Sequence, residues 1–552
     1  MSTVTVTLPS GEQQHVERGQ RISQVLGSQS PDTENPIIAA LFNNQLVSLS
    51  YRVEVNARIV AVTLDSALGR QVYRRTLCFV LAMAGARRLP DRRIVIGHSL
   101  GDGYYYQSAD GADFSRAEIE AVSAEMSAIV DADLEILRTT VSYQDALEYF
   151  RERRMSDTEL LLKHRNESKI AVYRCAELMD ISHGPLLPTS GYLRCFELRP
   201  YAQGFILRYP GERDPYTLTS FHASPVLFSV YQEYKQWGKI LGVGSAGQLS
   251  ELTRNRNIRE FIRVAEALHD KRIGEIADKI NERRDSVRIV LIAGPSSSGK
   301  TTFTKKLSVQ LTVCGLRPIS ISLDDFFVDR EKTPRDAEGN YDFEQLQAID
   351  VAVLNETLLK LFDSQAVEMP EFDFKTGSRS YHGKILRLPP QGVLLIEGIH
   401  GLNPELVPRI DPSYTYKVYV SALTQLNLDD NNRVPTTDNR LIRRLVRDHQ
   451  FRGYSAVETL SRWPSVRRGE NRNIFPFQDS ADSAFNSALD YELGVIKSFA
   501  DPLLQEVKPY HEVYHEATRL ASFLNNFTHI PDKYVPEHSI LREFIGDSGF
   551  KY

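Results

Sequence analysis

Residues 287–301 read Val-Arg-Ile-Val-Leu-Ile-Ala-Gly-Pro-Ser-Ser-Ser-Gly-Lys-Thr. The apolar run at 287–293 predicts a strand buried on both faces, the kind found in parallel sheets. The chain then turns through Gly294, Pro295, Ser296, Ser297, Ser298 and Gly299 into a helix opened by Lys300, Thr301 and Thr302. This is G-x-x-x-x-G-K-[ST] between a strand and a helix. The glycines let backbone N–H groups curl around phosphate oxygens, and the helix N-terminus adds its positive end. The spacing predicts that these nine residues bind ATP, with Lys300 on the β/γ-phosphates and the Thr301 hydroxyl on Mg²⁺.

Further apolar strands at 318–323, 392–396 and 416–420 alternate with helical or polar segments. That alternation predicts a parallel α/β sheet covered on both faces. Asp324 and Asp325 follow the second strand, where such sheets collect ligands. A carboxylate there suits a general base for an attacking hydroxyl, as phosphoryl transfer requires. Glu397 ends the third strand and is a candidate Mg²⁺ carboxylate, as is Asp324. Residues 440–452, RLIRRLVRDHQFR, carry five arginines. At helical spacing Arg440, Arg443, Arg444 and Arg447 share one face, and a cationic stripe suits clamping a transferring phosphoryl group. A solvated or nucleic-acid-binding face is the alternative.

Together GPSSSGKT (294–301), SLDDFF (322–327), NYDFE (340–344), MPEFDFKTGSR (369–379), VLLIEGI (393–399) and RLIRRLVRDHQFRG (440–453) resemble the uridine kinase/phosphoribulokinase branch of P-loop kinases. The resemblance implies an ATP-dependent kinase acting on a ribonucleoside 5′-hydroxyl, uridine- or cytidine-like. It makes Asp324 the base, with Lys300, Arg443 and Arg447 as catalytic cations. Asp342 would hold the ribose hydroxyls, and Phe327, Phe372, Arg379 and Arg440 would complete the substrate site. Thr301, Asp324 and Glu397 would serve Mg²⁺. One departure bears on the base: the family's base-reading histidine position holds Gly377, with Tyr381 and His382 nearby in sequence. The alternatives are a phosphoribulokinase-like sugar kinase and a nucleotide-switched RNA- or ribosome-associated regulator.

The N-terminal half has another texture. TVTVT (3–7) alternates like an edge strand, and residues 1–62 resemble a TGS domain, a small β-grasp module. Residues 63–199 resemble the second additional domain of threonyl-tRNA synthetase, which hydrolyses mischarged tRNA with a His-x-x-x-His and a Cys-x-x-x-His pair. Here those pairs read His98-Ser-Leu-Gly-Asp102 and Ser182-His-Gly-Pro-Leu186. A leucine cannot ligate a metal, so the editing chemistry reads as lost, unless His183 shifts into the vacated place.

The expected fold class is therefore multidomain α+β and α/β. A β-grasp module (1–62) and a synthetase-like α+β domain (63–199) precede a mostly helical connector (200–285). A P-loop α/β kinase domain with a parallel sheet (286–500) and a C-terminal extension packed on it (501–552) complete the chain.

Composition excludes other classes. Lys plus Arg is 66 against 71 Asp plus Glu, a net charge of −5, so the chain is no basic nucleic-acid coat. RNA contact by the N-terminal half stays an open expectation without support from that balance. Four cysteines without a CxxC pair offer neither a disulfide framework nor a zinc module. No apolar run approaches a membrane span and MSTVTVTLPSGEQQHVERGQ lacks a signal-peptide core, so a cytoplasmic protein with no membrane partner is expected. A homo-oligomer is expected as well.

Overall fold

A computed structural model describes residues 2–27, 31, 33–211, 214–336, 339, 341–373 and 376–551. Asn340 of the NYDFE motif, and Phe374 and Lys375 of the aromatic loop, lie outside the described residues.

The N-terminal unit is a five-stranded sheet of β1 (Thr3–Thr7), β2 (Gln13–Glu17), β3 (Ile37–Phe42), β4 (Gln45–Ser48) and β5 (Ala57–Thr63), in the order β2-β1-β5-β3-β4. The short helix α1 (Ile22–Leu26) crosses it. Alternation works as expected in β1, where Val4 and Val6 are buried and their threonine neighbours are not.

Helix α2 (Ala67–Arg88) follows, capped by the Ser66 hydroxyl accepting from the Gly69 N–H. Sequence reading left this stretch unassigned, because α2 is apolar over much of its circumference and lacks a clean stripe. Around it lie β6 (Ile94–Ser99), β7 (Gly103–Ser108), α3 (Arg116–Asp131), β8 (Leu137–Ser142), α4 (Tyr143–Glu152), α5 (Ser156–Lys163), β9 (Lys169–Cys175), β10 (Leu178–Asp180), β11 (Glu197–Tyr201) and β12 (Gly204–Arg208). They form the sheets β11-β12-β7-β6 and β10-β9-β8. Three helices, α6 (Pro225–Leu241), α7 (Ala246–Arg254) and α8 (Ile258–Glu282), lead to the second half.

There a five-stranded parallel sheet has β13 (Ile289–Ala293) at its centre, followed by α9 (Lys300–Val313) and β14 (Arg317–Ser322). Helix α10 (Val351–Phe362) and the hairpin β15 (Val367–Asp373)–β16 (Ser378–Leu386) precede β17 (Gly392–Glu397) and β18 (Thr415–Ser421). Helices α11 (Thr436–Arg452) and α12 (Ala456–Asn473), strand β19 (Ser483–Asn486), and helices α13 (Glu492–Glu506), α14 (Tyr514–Leu524) and α15 (Arg542–Ile545) complete the chain. The strand order is β14-β17-β13-β18-β19. All five residues of β13 are buried, as its continuous apolar run requires. Sequence reading missed β19, whose four residues are too short for a periodic signal. No helix among the described residues is long and apolar enough to cross a membrane.

Candidate active site

The loop after β13 is held to shape by sterics. A Cβ on Gly294 would lie 2.0 Å from the Val420 carbonyl oxygen, so only glycine lets the loop leave the sheet. Ser297 and Gly299 adopt φ of +58° and +80°, the left-handed region that turns successive N–H groups inward. The Ser297 and Ser298 hydroxyls are buried without a hydrogen-bond partner among the described residues. Lys300 Nζ folds back to the Pro295 carbonyl at 3.2 Å, and burial lowers its pKa.

The two parallel neighbours deliver the carboxylates. Thr301 Oγ1 donates to Glu397 Oε1 at 3.0 Å, with Oε2 at 3.2 Å. Burial pushes the Glu397 carboxyl up to about 7, against the pull of Lys300. A hydroxyl facing a buried, under-compensated carboxylate is a hard oxygen donor set that fits Mg²⁺. Asp324 follows β14. Its side chain is solvent-accessible; partial desolvation by the surrounding protein raises its pKa while Lys300, Arg452 and Arg447 oppose, so these four groups share one electrostatic neighbourhood. Asp325 is also raised by burial, with Lys384 opposing.

The arginine face of α11 is packed rather than solvated. Arg440 and Arg443 are fully buried. Arg440 pairs with Glu470 and donates Nε–H to the Ser296 carbonyl at 2.9 Å. Arg443 pairs with Glu492 and donates to the Ser487 carbonyl at 2.8 Å. Both guanidinium groups brace the phosphate loop, Arg440 at the Ser296 carbonyl and Arg443 at the Ser297 carbonyl. Arg444, of the same face, donates to Ser296 Oγ at 2.8 Å, and Arg447 pairs with Asp448.

Asp342 accepts the Glu344 N–H at 3.1 Å and the Gln345 amide at 2.8 Å. Phe327 packs against Phe343 and Phe372 with centroids 5.8 and 5.6 Å apart, forming an aromatic wall. Arg379 donates to Asp350 at 2.9 Å, and its Nη1 has no hydrogen-bond partner among the described residues. Glu344, Glu470 and Glu543 were missed. Burial, with Glu470 adding, pushes the Glu344 carboxyl up to about 7 beside Arg444 and Lys300. Glu470 accepts the Ser296 N–H at 3.1 Å. Glu543 accepts both the Thr302 N–H at 3.0 Å and its hydroxyl at 2.7 Å. No local sequence signal could have found these contacts, which span up to 241 residues.

The inherited editing positions are dispersed. His98 is buried, stacked on Tyr231 at 5.7 Å, and burial drives its pKa down to about 3. Asp102 accepts the Thr219 hydroxyl, Leu186 is in the core, and His183 Nε2 lies 3.2 Å from Asp429. The kinase-half loop 427–433 hydrogen-bonds to residues beside them. Asn427 donates to the Ile96 carbonyl at 2.9 Å, Asn431 to Asp180 at 2.9 Å and Asn432 to the Ile181 carbonyl at 3.2 Å. Among the described residues no group of three or more His, Cys, Asp or Glu side chains could hold a metal.

Residues 289–492 match the phosphoribulokinase / uridine kinase family. The chain is similar to threonine–tRNA ligase 2 of Bacillus subtilis (strain 168), 34% identical over 196 residues, covering 35% of this chain and 31% of that protein. It is also similar to the threonine–tRNA ligase of Symbiobacterium thermophilum, 30% identical over 205 residues, covering 37% and 32%. The chain thus spans about a third of the length of these curated relatives. Among solved structures it is similar to a possible uridine kinase from Bacillus stearothermophilus, at 20% identity and a TM-score of 0.25 over 38% of this chain and 100% of that one. A putative fructose transport system kinase from Silicibacter sp. TM1040 gives 18% identity and a TM-score of 0.28 over 39% and 98%. The second half of the chain thus matches the phosphoribulokinase / uridine kinase family over residues 289–492, and the N-terminal half matches threonine–tRNA ligases.

Proposed function

We propose that this protein is an ATP-dependent phosphotransferase that moves the γ-phosphoryl group to the 5′-hydroxyl of a ribonucleoside. The observation that carries the reading is the hydrogen bond from Thr301 of the phosphate loop to Glu397 at the end of β17, with Lys300 folded on the same loop and Asp324 within its electrostatic reach. In this reading the loop N–H groups and Lys300 orient the phosphates, while Arg447 steadies developing charge. Thr301 and Glu397 would hold Mg²⁺, which neutralises phosphate charge when bound. Asp324 accepts the acceptor hydroxyl's proton, and its raised pKa brings it closer to the working pH of a base. Asp342 and the aromatic wall of Phe327, Phe343 and Phe372 suit a ribose and a planar ring. The cytoplasm suits an enzyme with four free cysteines and a need for ATP.

A sugar acceptor is the second reading, and one observation favours it. Gly377 sits at φ +74°, and a Cβ there would approach Arg330 Nε to 2.6 Å. A base-reading side chain therefore does not fit that position. Purified protein given Mg-ATP with a panel of ribonucleosides and of phosphorylated pentoses, read as acceptor-dependent ADP release, separates the two.

A further inference from the structure

The first turn of α9 offers N–H donors that no helical carbonyl can satisfy, and in a phosphate loop those donors belong to the ligand. Here an anion already occupies one of them. Glu543, from the C-terminal helix α15, accepts the Thr302 N–H at 3.0 Å and the Thr302 hydroxyl at 2.7 Å. The carboxylate is presented by fixed neighbours. Arg542 donates to the Val535 carbonyl at 2.8 Å and the Asp532 carbonyl at 3.0 Å, and Phe544 is fully buried against the Arg443 guanidinium, 4.9 Å from its ring centroid. The same segment closes on the loop at two other points. Ile540 Cγ2 lies 2.6 Å from where a Cβ on Gly299 would stand, and Lys305 Nζ donates to the Lys551 carbonyl. Beside this contact the Ser297 and Ser298 hydroxyls are buried without hydrogen-bond partners among the described residues. The negative charge of Glu543 also reaches Glu397 and Lys300.

We infer that Glu543 is an affinity-setting residue of the nucleotide site: its carboxylate stands where a phosphate oxygen of the bound nucleotide would take the Thr302 N–H and hydroxyl, and it must withdraw for the nucleotide to bind. This deepens the proposed kinase reading and rests on it. One N–H cannot serve two anions at full strength. The bound phosphate must therefore replace a charge-assisted hydrogen bond, and it also meets an adjacent negative charge. The C-terminal segment thereby lowers nucleotide affinity until something draws it away.

The test is calorimetric titration of the full chain with Mg-ADP, comparing wild type with Glu543→Gln and Glu543→Ala, each checked for unchanged circular dichroism. Removing the charge should tighten Mg-ADP binding roughly tenfold, with Glu543→Ala at least as tight as Glu543→Gln. Binding that is unchanged or weaker in both variants overturns the inference and leaves Glu543 as a simple cap of α9. If wild type and both variants all fail to bind Mg-ADP, the nucleotide site itself is misread, and this inference falls with it.

Discussion

The Asp430 carboxylate accepts the backbone N–H of Thr158 at 2.9 Å and its hydroxyl at 3.0 Å, so a loop of the kinase half caps helix α5 of the N-terminal half. Arg93 adds an ion pair to the other Asp430 oxygen at 2.6 Å. Asp429 and Asp430 are both buried by this docking. Although every expected catalytic group lies beyond Asp285, the two halves are not separable at low cost, because removing one orphans buried polar groups of the other.

Asp430→Ala should therefore destabilise the whole chain by about 3 kcal/mol, because Thr158 N–H and Arg93 lose a buried partner. Urea unfolding followed by fluorescence checks it. A change below about 0.5 kcal/mol would mean the two halves are merely adjacent.

The arginines of α11 should divide into two classes. Arg440→Ala leaves Glu470 buried and uncompensated, so a loss of about 3–5 kcal/mol is expected. Arg447→Ala removes a largely buried side chain, but its partner Asp448 keeps Arg444 at 3.1 Å, so it should cost less stability than the Arg440 change and lower turnover roughly 10²-fold or more. Thermal melts and initial rates on the same preparations separate the classes, and an Arg440 variant of wild-type stability would contradict the assignment.

That division also marks how far the sequence could be read. The phosphate loop, Asp324 and Glu397 were legible because their chemistry is local: glycine torsions, a lysine at fixed spacing, carboxylates at strand ends. The helical period correctly grouped the arginines, but their burial depends on Glu470 and Glu492, 30 and 49 residues away. Glu543 is invisible for the same reason. In the N-terminal half the departures from the ligand pattern at Asp102 and Leu186 were legible, whereas the hydrogen bonds of residues 427–433 to Ile96, Asp180 and Ile181 were not, since no periodicity in an Asn- and Asp-rich loop announces its partner.

Stability should carry a pH signature from Asp490. Burial, with Glu492 adding, pushes its carboxyl up to about 7 while Lys235 opposes. The native state thus favours the neutral acid, and an unfolded aspartate ionises near 4. This contribution is full below about pH 4 and is lost as pH rises through about 7. Asp490→Asn should flatten the fall in unfolding free energy between pH 5 and 8, measured by urea melts across that range. An unchanged slope would remove Asp490 as its source.

The full chain should bind no stoichiometric zinc, since His98 is sealed against Tyr231 and His183 is engaged by Asp429. Elemental analysis after dialysis checks this. About one zinc per chain, lost on His98→Ala, would reopen a hydrolytic activity in the N-terminal half.

Phosphoryl transfer is proposed at the site of Lys300, Thr301, Glu397 and Asp324. Its most direct test is phosphorus NMR of purified protein incubated with Mg-ATP and each of the four ribonucleosides, run beside Lys300→Ala and Asp324→Asn. The expected result is ADP with a nucleoside 5′-monophosphate for at least one ribonucleoside, turnover abolished in Lys300→Ala and lowered roughly 10²-fold or more in Asp324→Asn. ATP left intact with all four, or a 5′-monophosphate formed equally by both variants, would contradict it.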